Sequence, residues 1–396
     1  MSLAHGRDVR GLRPDLPSRP RSAPPLRARL AQGREALLAL GPAWRALDTR
    51  AAQVPAPYDL LVQASGSLSA SAPLLVLVES GDRLVGAWPL RVQRFGPVSM
   101  ATRLGRAIQP FDGLTTDAHH DGAAIARAAW AALAADRPVD VVALPHLLAE
   151  SPLLAVDELR HHAAVAGTTM GVDLSAYDAP GEWAESRSRS QRRTLRRSRE
   201  ALARMGEVRF EVLDAPSRRR SAFLEALALK LAWADERQEV AATLRAPWFA
   251  AAWLRAVADP HLGESVRVFR LSVDGRTAAV EVGLVCRGTR TFQSYLGAWA
   301  PEFAAASAGL LLTADTIAWC IGAGLERYDL LPPVSEFKAR WGDDPREVRS
   351  SLVAFSLAGR LVEPVVRDGR EHVRAMVGRL PDPVQALLRV AVSRAG

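Results

Sequence analysis

One pattern occurs twice in this chain and narrows the folds open to it. "PLLVLVESGDRLVGAWPLRVQRFG" (73–96) is two apolar runs flanking Ser80-Gly81-Asp82, and "SVRVFRLSVDGRTAAVEVGLVCRG" (265–288) is two more about Asp274-Gly275. Short apolar runs joined by Asp/Gly turns read as β-hairpins. In the first half a helical stretch (124–136) and a short buried strand (138–147) follow. In the second half come a strand at 289–299, a helix at 308–323 and a strand at 325–331. Repetition at an offset near 190 residues predicts two copies of one mixed α/β unit. A chain of 396 residues is long enough to bury two cores.

The organisation expected from this reading has five parts. A flexible basic tail covers 1–34, an N-terminal unit 35–180 and a basic connecting helix 181–205. A catalytic unit follows over 206–360, and amphipathic helices over 361–396. The tail holds arginine and proline but no apolar core of about 7–15 residues, so it does not read as a secretory signal. Residues 35–47 read as a helix. The apolar stretch 304–325 has the length of a bilayer span, but Asp315 at its middle would cost roughly 2.5–3.5 kcal/mol there, so a buried helix is expected. Cys286 and Cys320 are the two cysteines and lie far apart in apolar surroundings, which excludes a disulfide framework and suits a reducing cytoplasm.

Charge is concentrated. The net charge is +8, and "RSRSQRRTLRRSREALAR" (187–204) carries eight arginines against Glu200. Leu195 and Leu202 mark a thin apolar edge seven residues apart, so the run reads as a helix docked along one line with Arg193, Arg196 and Arg197 on its free girth. A solvated face, a nucleic-acid contact, an anionic membrane contact and a small anionic substrate all fit that pattern. Lysine occurs only as Lys230 and Lys338.

The densest chemistry lies between 270 and 342. Ser307 is placed to cap a helix, and Ala308, Gly309, Leu310 and Leu311 form a first turn whose open amides would suit an anion. Beyond the strand "RYDLL", Glu336, Lys338, Arg340 and Trp341 cluster where a binding site or a plain turn would both fit. Glu281, lone in "AAVEVGLV", faces away from Val280 and Val282; it is either a buried base or an outward carboxylate on a half-exposed sheet. The pairs His119-His120 and His161-His162 lack metal-ligand spacing, and no metal is expected. Cys286 reads as packing.

The order "SAG–LLL–helix" then "YDLLPPVSEFKARW", preceded by "SQRRTLRRSRE", resembles the CelD/BcsL-type acetyltransferases of the GNAT superfamily and the FemAB-like proteins with two such domains. That resemblance implies tandem α/β domains with mixed, mostly antiparallel sheets flanked by helices. It implies acetyl-CoA or another acyl-CoA as donor at Ser307–Leu311, and direct transfer to an amine or hydroxyl. Glu281 or Asp329 would be the base, and Tyr295 or Tyr328 would protonate the thiolate. The acceptor would be a small molecule or saccharide, anionic in character, met by Arg193, Arg196, Arg197, Glu336, Lys338 and Trp341; polysaccharide or envelope metabolism is the implied setting. The alternatives are a non-catalytic scaffold that binds nucleic acid or a membrane surface, and a transferase that uses aminoacyl-tRNA.

Overall fold

The computed structural model describes residues 24–66, 73–106, 108–238, 241–361 and 363. The expected C-terminal amphipathic helices lie almost wholly outside the described residues. Strands in the first half are β1 (Leu26–Gln32), β2 (Ala51–Gln53), β3 (Pro73–Ser80), β4 (Arg83–Phe95), β5 (Val98–Arg103), β6 (Thr115–Asp117), β7 (Val141–Leu148) and β8 (Ala163–Asp173). Those in the second are β9 (Val208–Val212), β10 (Val266–Val273), β11 (Arg276–Cys286), β12 (Thr291–Trp299), β13 (Arg327–Asp329) and β14 (Asp344–Ala354).

The repeat is real in three dimensions. Val266, Arg276 and Thr291 open β10, β11 and β12, each 193 positions after Pro73, Arg83 and Val98, which open β3, β4 and β5. The helices Gly122–Asp136 and Ala308–Gly322, and the strands β7 and β13 after them, keep an offset of 186. Turn chemistry fixes both hairpins, since Gly81, Asp274 and Gly275 take the left-handed backbone that such turns require.

The two halves share one sheet, ordered β1-β3-β4-β5-β7-β14-β8-β13-β12-β11-β10-β9. Most neighbours are antiparallel; β5/β7 and β12/β13 are parallel. Each half takes a strand from the other. β8, from the first half, pairs with β13, while β14, from the second, lies between β7 and β8. In the second half the helix Ala308–Gly322 covers one face, burying Leu311, Ile317 and Ile321 with Phe269 and Phe292. The helices Pro216–Glu236 and Pro247–Ala258 cover the other, placing Phe223, Phe249 and Trp253 on Val280, Val282 and Leu284.

Two local expectations change. Leu26–Gln32 pairs with β3 instead of trailing as tail, because alternating Leu26, Ala28 and Leu30 pack on the first core. The helix expected over 35–47 is two, Gly33–Ala39 and Gly41–Asp48, since Pro42 brings no amide to continue the first.

Gly171 sits where the halves join, opposite both Asp329 and Asp344. A β-carbon there would fall 2.3 Å from the guanidinium carbon of Arg327, itself buried between Asp329 and Asp344. Gly171→Ala is therefore expected to lower stability by about 1–3 kcal/mol, as overpacking does. An unchanged urea midpoint would contradict that reading.

Candidate active site

The parallel ladder of β12 and β13 has three rungs, and its last is Gln293↔Asp329. Beyond it β12 runs on to Trp299 paired with β11 alone, while the other chain turns away as the Leu330 amide donates to Met170 O at 2.9 Å. A fork opens at the carboxyl ends of two parallel strands, the place where open α/β sheets take ligands.

The helix Ala308–Gly322 begins at this mouth. Its first turn leaves the amides of Ala308 and Gly309 without an acceptor among the described residues, while those of Leu310 and Leu311 donate to Ser307 O at 3.0 and 3.2 Å. Ser307 differs from the expectation. Its backbone is left-handed (φ 55°) and its hydroxyl makes no capping bond; Ala308 is buried and Gly309 half-buried, so the unbonded Gly309 amide is the one an anion can approach. Gly309 also has a packing reason, because a β-carbon there would meet the Trp299 indole at 3.1 Å.

Lys338 Nζ donates to Leu331 O at 2.6 Å and Pro333 O at 3.0 Å. Burial lowers its pKa to about 8, and Lys230 adds like-charge repulsion. Lys230 in turn lies over Trp233 (4.0 Å) and Trp299 (5.9 Å). Both lysines of the chain thus flank the fork. Tyr295 stands on the cleft face with Phe111 and Leu331, its ring on Trp253; burial pushes its phenol up to about 12.

Glu281 occupies the opposite face, under the helix. It is 3% exposed, and Oε1 accepts from Ser294 Oγ at 2.5 Å and from Tyr328 OH. Burial raises its pKa, and Oε2 has no hydrogen-bond partner. Tyr328 is pushed well above the ordinary phenol range by burial and by that carboxyl. The outward, half-exposed Glu281 is therefore ruled out, and Ser294, half-buried on the arm of the fork, is its link outward. Asp329 is already committed: it accepts from Thr169 Oγ1 (2.6 Å), the Leu331 amide (2.8 Å) and Arg327 Nε (3.2 Å).

Other expected residues are less central. Trp341 is buried and stacks on Trp183 with centroids 6.1 Å apart, so it closes the core and offers no face to a ligand. Glu336 and Arg340 are exposed. The helix Arg189–Ala203 buries Ser198 and Leu202, with Leu195 packed beside them. Arg199 meets Asp315 at 2.6 Å and Arg196 meets Glu200 at 3.6 Å, which offsets part of the repulsion. Arg193 and Arg197 are exposed without an acidic partner among the described residues. Gln191 Nε2 donates to Arg340 O at 2.9 Å, tying the basic helix to the short helix that carries Lys338. Asp117, beside the histidine pair, is bound by Arg50 at 2.5 Å and Arg83 at 3.3 Å.

The first half has the same fork, closed. β5 and β7 share Met100↔Val141 and Ala101↔Val142, after which residues 104–106 and 108–114 fill the gap. Leu104, Ile108 and Phe111 are buried in it, and Asp112 bridges to Leu147 with its amide 2.7 Å from His146 O. At the helix start matching Ser307 stands Asp121, whose carboxylate accepts the Ala123 amide at 2.9 Å. The protein's own chain and its own anion take both places there.

A model of the acetyltransferase (GNAT) domain matches residues 189–339, the stretch that holds the open fork. No curated protein matches the sequence. Among solved structures, FemX superposes with a TM-score of 0.56 at 12% identity, over 77% of this chain and 93% of that one. L-PGS from Bacillus licheniformis does so at 0.50 and 12%, over 79% and 96%. A conserved protein of unknown function from Bacteroides thetaiotaomicron VPI-5482 gives 0.52 and 10%, over 80% and 97%. At such identities the likeness is one of fold: two tandem GNAT-like units.

With its pKa lowered to about 8, Lys338 loses its charge as pH rises through that value. Affinity for an anion held at the fork is expected to fall by up to about tenfold between pH 7 and pH 9. Lys338→Arg stays charged and should flatten that dependence. Titration calorimetry at the two pH values checks it, and a flat wild-type profile refutes it.

Proposed function

We propose that the protein is an acyl-CoA-dependent acyltransferase that passes the acyl group directly to an amine or hydroxyl at the open fork of β12 and β13. The observation that carries this reading is the contrast between the two forks: one filled by its own chain and by Asp121, the other open with free amides at Ala308 and Gly309. The half-buried Gly309 amide and Lys338 would hold the donor's phosphates. The free edge of β12 beyond Gln293 would hold its extended arm.

As the acceptor attacks the thioester carbon, its proton passes to Ser294 Oγ while Ser294 hands its own to Glu281 Oε1. A buried carboxyl with a raised pKa suits that task. The departing thiolate takes a proton from Tyr295, a phenol that burial keeps neutral. On this assignment Glu281→Gln and Ser294→Ala each lower kcat by about 10²–10⁴-fold with donor affinity unchanged. Activity near the wild-type level in both would remove the relay.

The donor site is tested by Ser307→Asp, which gives this helix the carboxylate that Asp121 gives its counterpart. Ser307 is exposed and left-handed, a conformation aspartate tolerates, so folding should be kept. The thermal shift caused by CoA is expected in the wild type and lost in the variant. A shift of equal size in both would move the donor elsewhere.

The exposed Arg193 and Arg197 support a second reading, in which the donor is carried on a polyanion such as aminoacyl-tRNA. RNA affinity that collapses between 50 and 200 mM salt, with no shift by CoA, would favour it. A cytoplasmic setting, a saccharide acceptor and a role in envelope or polysaccharide metabolism belong to the same proposal and come from the family resemblance. No described helix is long and apolar enough to cross a membrane.

A further inference from the structure

A cavity of about 690 Å³ lies at the seam of the two halves, on the Gln293–Asp329 side of the fork. Its walls come from both halves and hold Asp112, Glu150, Asp173, Glu326, Asp329 and Asp344 against three arginines, 290, 327 and 346. An acid-rich wall in a chain of net charge +8 runs against the composition. Arg327 is spent on Asp329 and Asp344, Arg290 on Glu326, and Arg346 on Glu150 at 3.1 Å and Asp344 at 3.3 Å. Asp173 is held ionised by Ser175 and has no arginine within ion-pair distance among the described residues.

Two further oxygens point to a missing donor. Asp112 and Gln293, 3% and 6% exposed, line this cavity, and Asp112 Oδ1 and Gln293 Oε1 are buried without a hydrogen-bond partner. A buried acceptor is costly to leave without a donor. Both are acceptors; Arg103, 3.2 Å from Asp112 Oδ2, offsets that carboxylate, and the six acids lining the cavity still outnumber the four arginines that meet them.

We infer that this cavity is the acceptor's recognition site and that the acceptor carries a protonated amine, or another cationic group with N–H donors, seated among Asp112, Asp173 and Gln293. The inference rests on the acyltransferase reading for the word acceptor; the site for a cation stands without it. An ammonium held by carboxylates keeps its proton and does not attack, so it is a handle, and a second group of the acceptor reacts. The layout agrees: Phe111, Leu331 and Tyr295 form an apolar cluster between the halves, and the Gln293↔Asp329 rung separates the cavity from the fork. This replaces the anionic acceptor expected from the basic helix, whose arginines are left to donor phosphates.

The test is binding of three sugars of one ring and different charge, D-glucosamine, D-glucose and D-glucuronate, followed by titration calorimetry at pH 7 alongside CoA. D-Glucosamine is expected to bind at least about tenfold more tightly than D-glucose, with D-glucuronate weakest. Asp112→Asn should bring glucosamine and glucose within about threefold of each other. Asp173→Asn, at an exposed position, should narrow the gap in the same direction and guards against a folding defect in the first variant. Equal binding of the three, a preference for glucuronate, or no binding of glucosamine at 10 mM overturns the inference. CoA binding, followed in the same samples, decides the donor reading separately: its loss with glucosamine selectivity intact would sink the transferase and leave the cation site.

Discussion

The pairing of β14 with β7 on one side and β8 on the other is the contact on which the rest of the molecule depends. Without it each half would present an open sheet edge, with unpaired amides and carbonyls exposed to any other chain. It also sets the site. β13 is three residues long, too short to hold itself, and its place is fixed by β12 and by β8. Since β8 is held by β14, one arm of the fork is positioned by the exchange of strands. Arg327 locks that junction, a buried guanidinium between Asp329 and Asp344 beneath the only residue type that leaves it room, Gly171.

One fold used twice has two outcomes. In both halves a parallel pair splits after two or three rungs, and a helix begins nearby. In the first half the gap is filled by apolar side chains and by Gln109, whose amide bonds the Gly105 amide (3.2 Å) and Phe111 O (3.0 Å). Such a plug satisfies the backbone that the split exposes. In the second half nothing among the described residues does so, and a helix start with free amides is left beside two lysines and Trp299. Filling one fork makes the first half a wall, and the cavity at the seam is where that wall meets the working half.

Much of the fold was legible because its signals are local. The Asp/Gly turns at 80–82 and 274–275, the apolar runs beside them and the helix from Ala308 follow from short-range preferences. The offset near 190 residues was visible for the same reason. The site was legible in part. Lys338 stood out as one of two lysines, and the alternation around Glu281 gave its side of the strand correctly. What lies on that side was not legible, because the covering helix is 27 residues further along the chain and its placement is a packing outcome. Trp341 stood among charged residues and read as part of a site, yet it is buried on Trp183, a partner about 160 positions away. Ser307 had the chemistry of a cap, but its left-handed backbone turns the hydroxyl from that task.

By itself the sequence determined the repeated unit, its turns, its helix starts and a basic helix with one apolar edge, since each rests on neighbours within a few residues. Only the tertiary structure decided which fork stays open, which of the described carboxyls lacks an arginine partner, and that acids from both halves meet around one cavity. Those outcomes depend on β8 and β14 changing places, a pairing between segments about 180 residues apart that backbone hydrogen bonding rewards only once both sheets are formed.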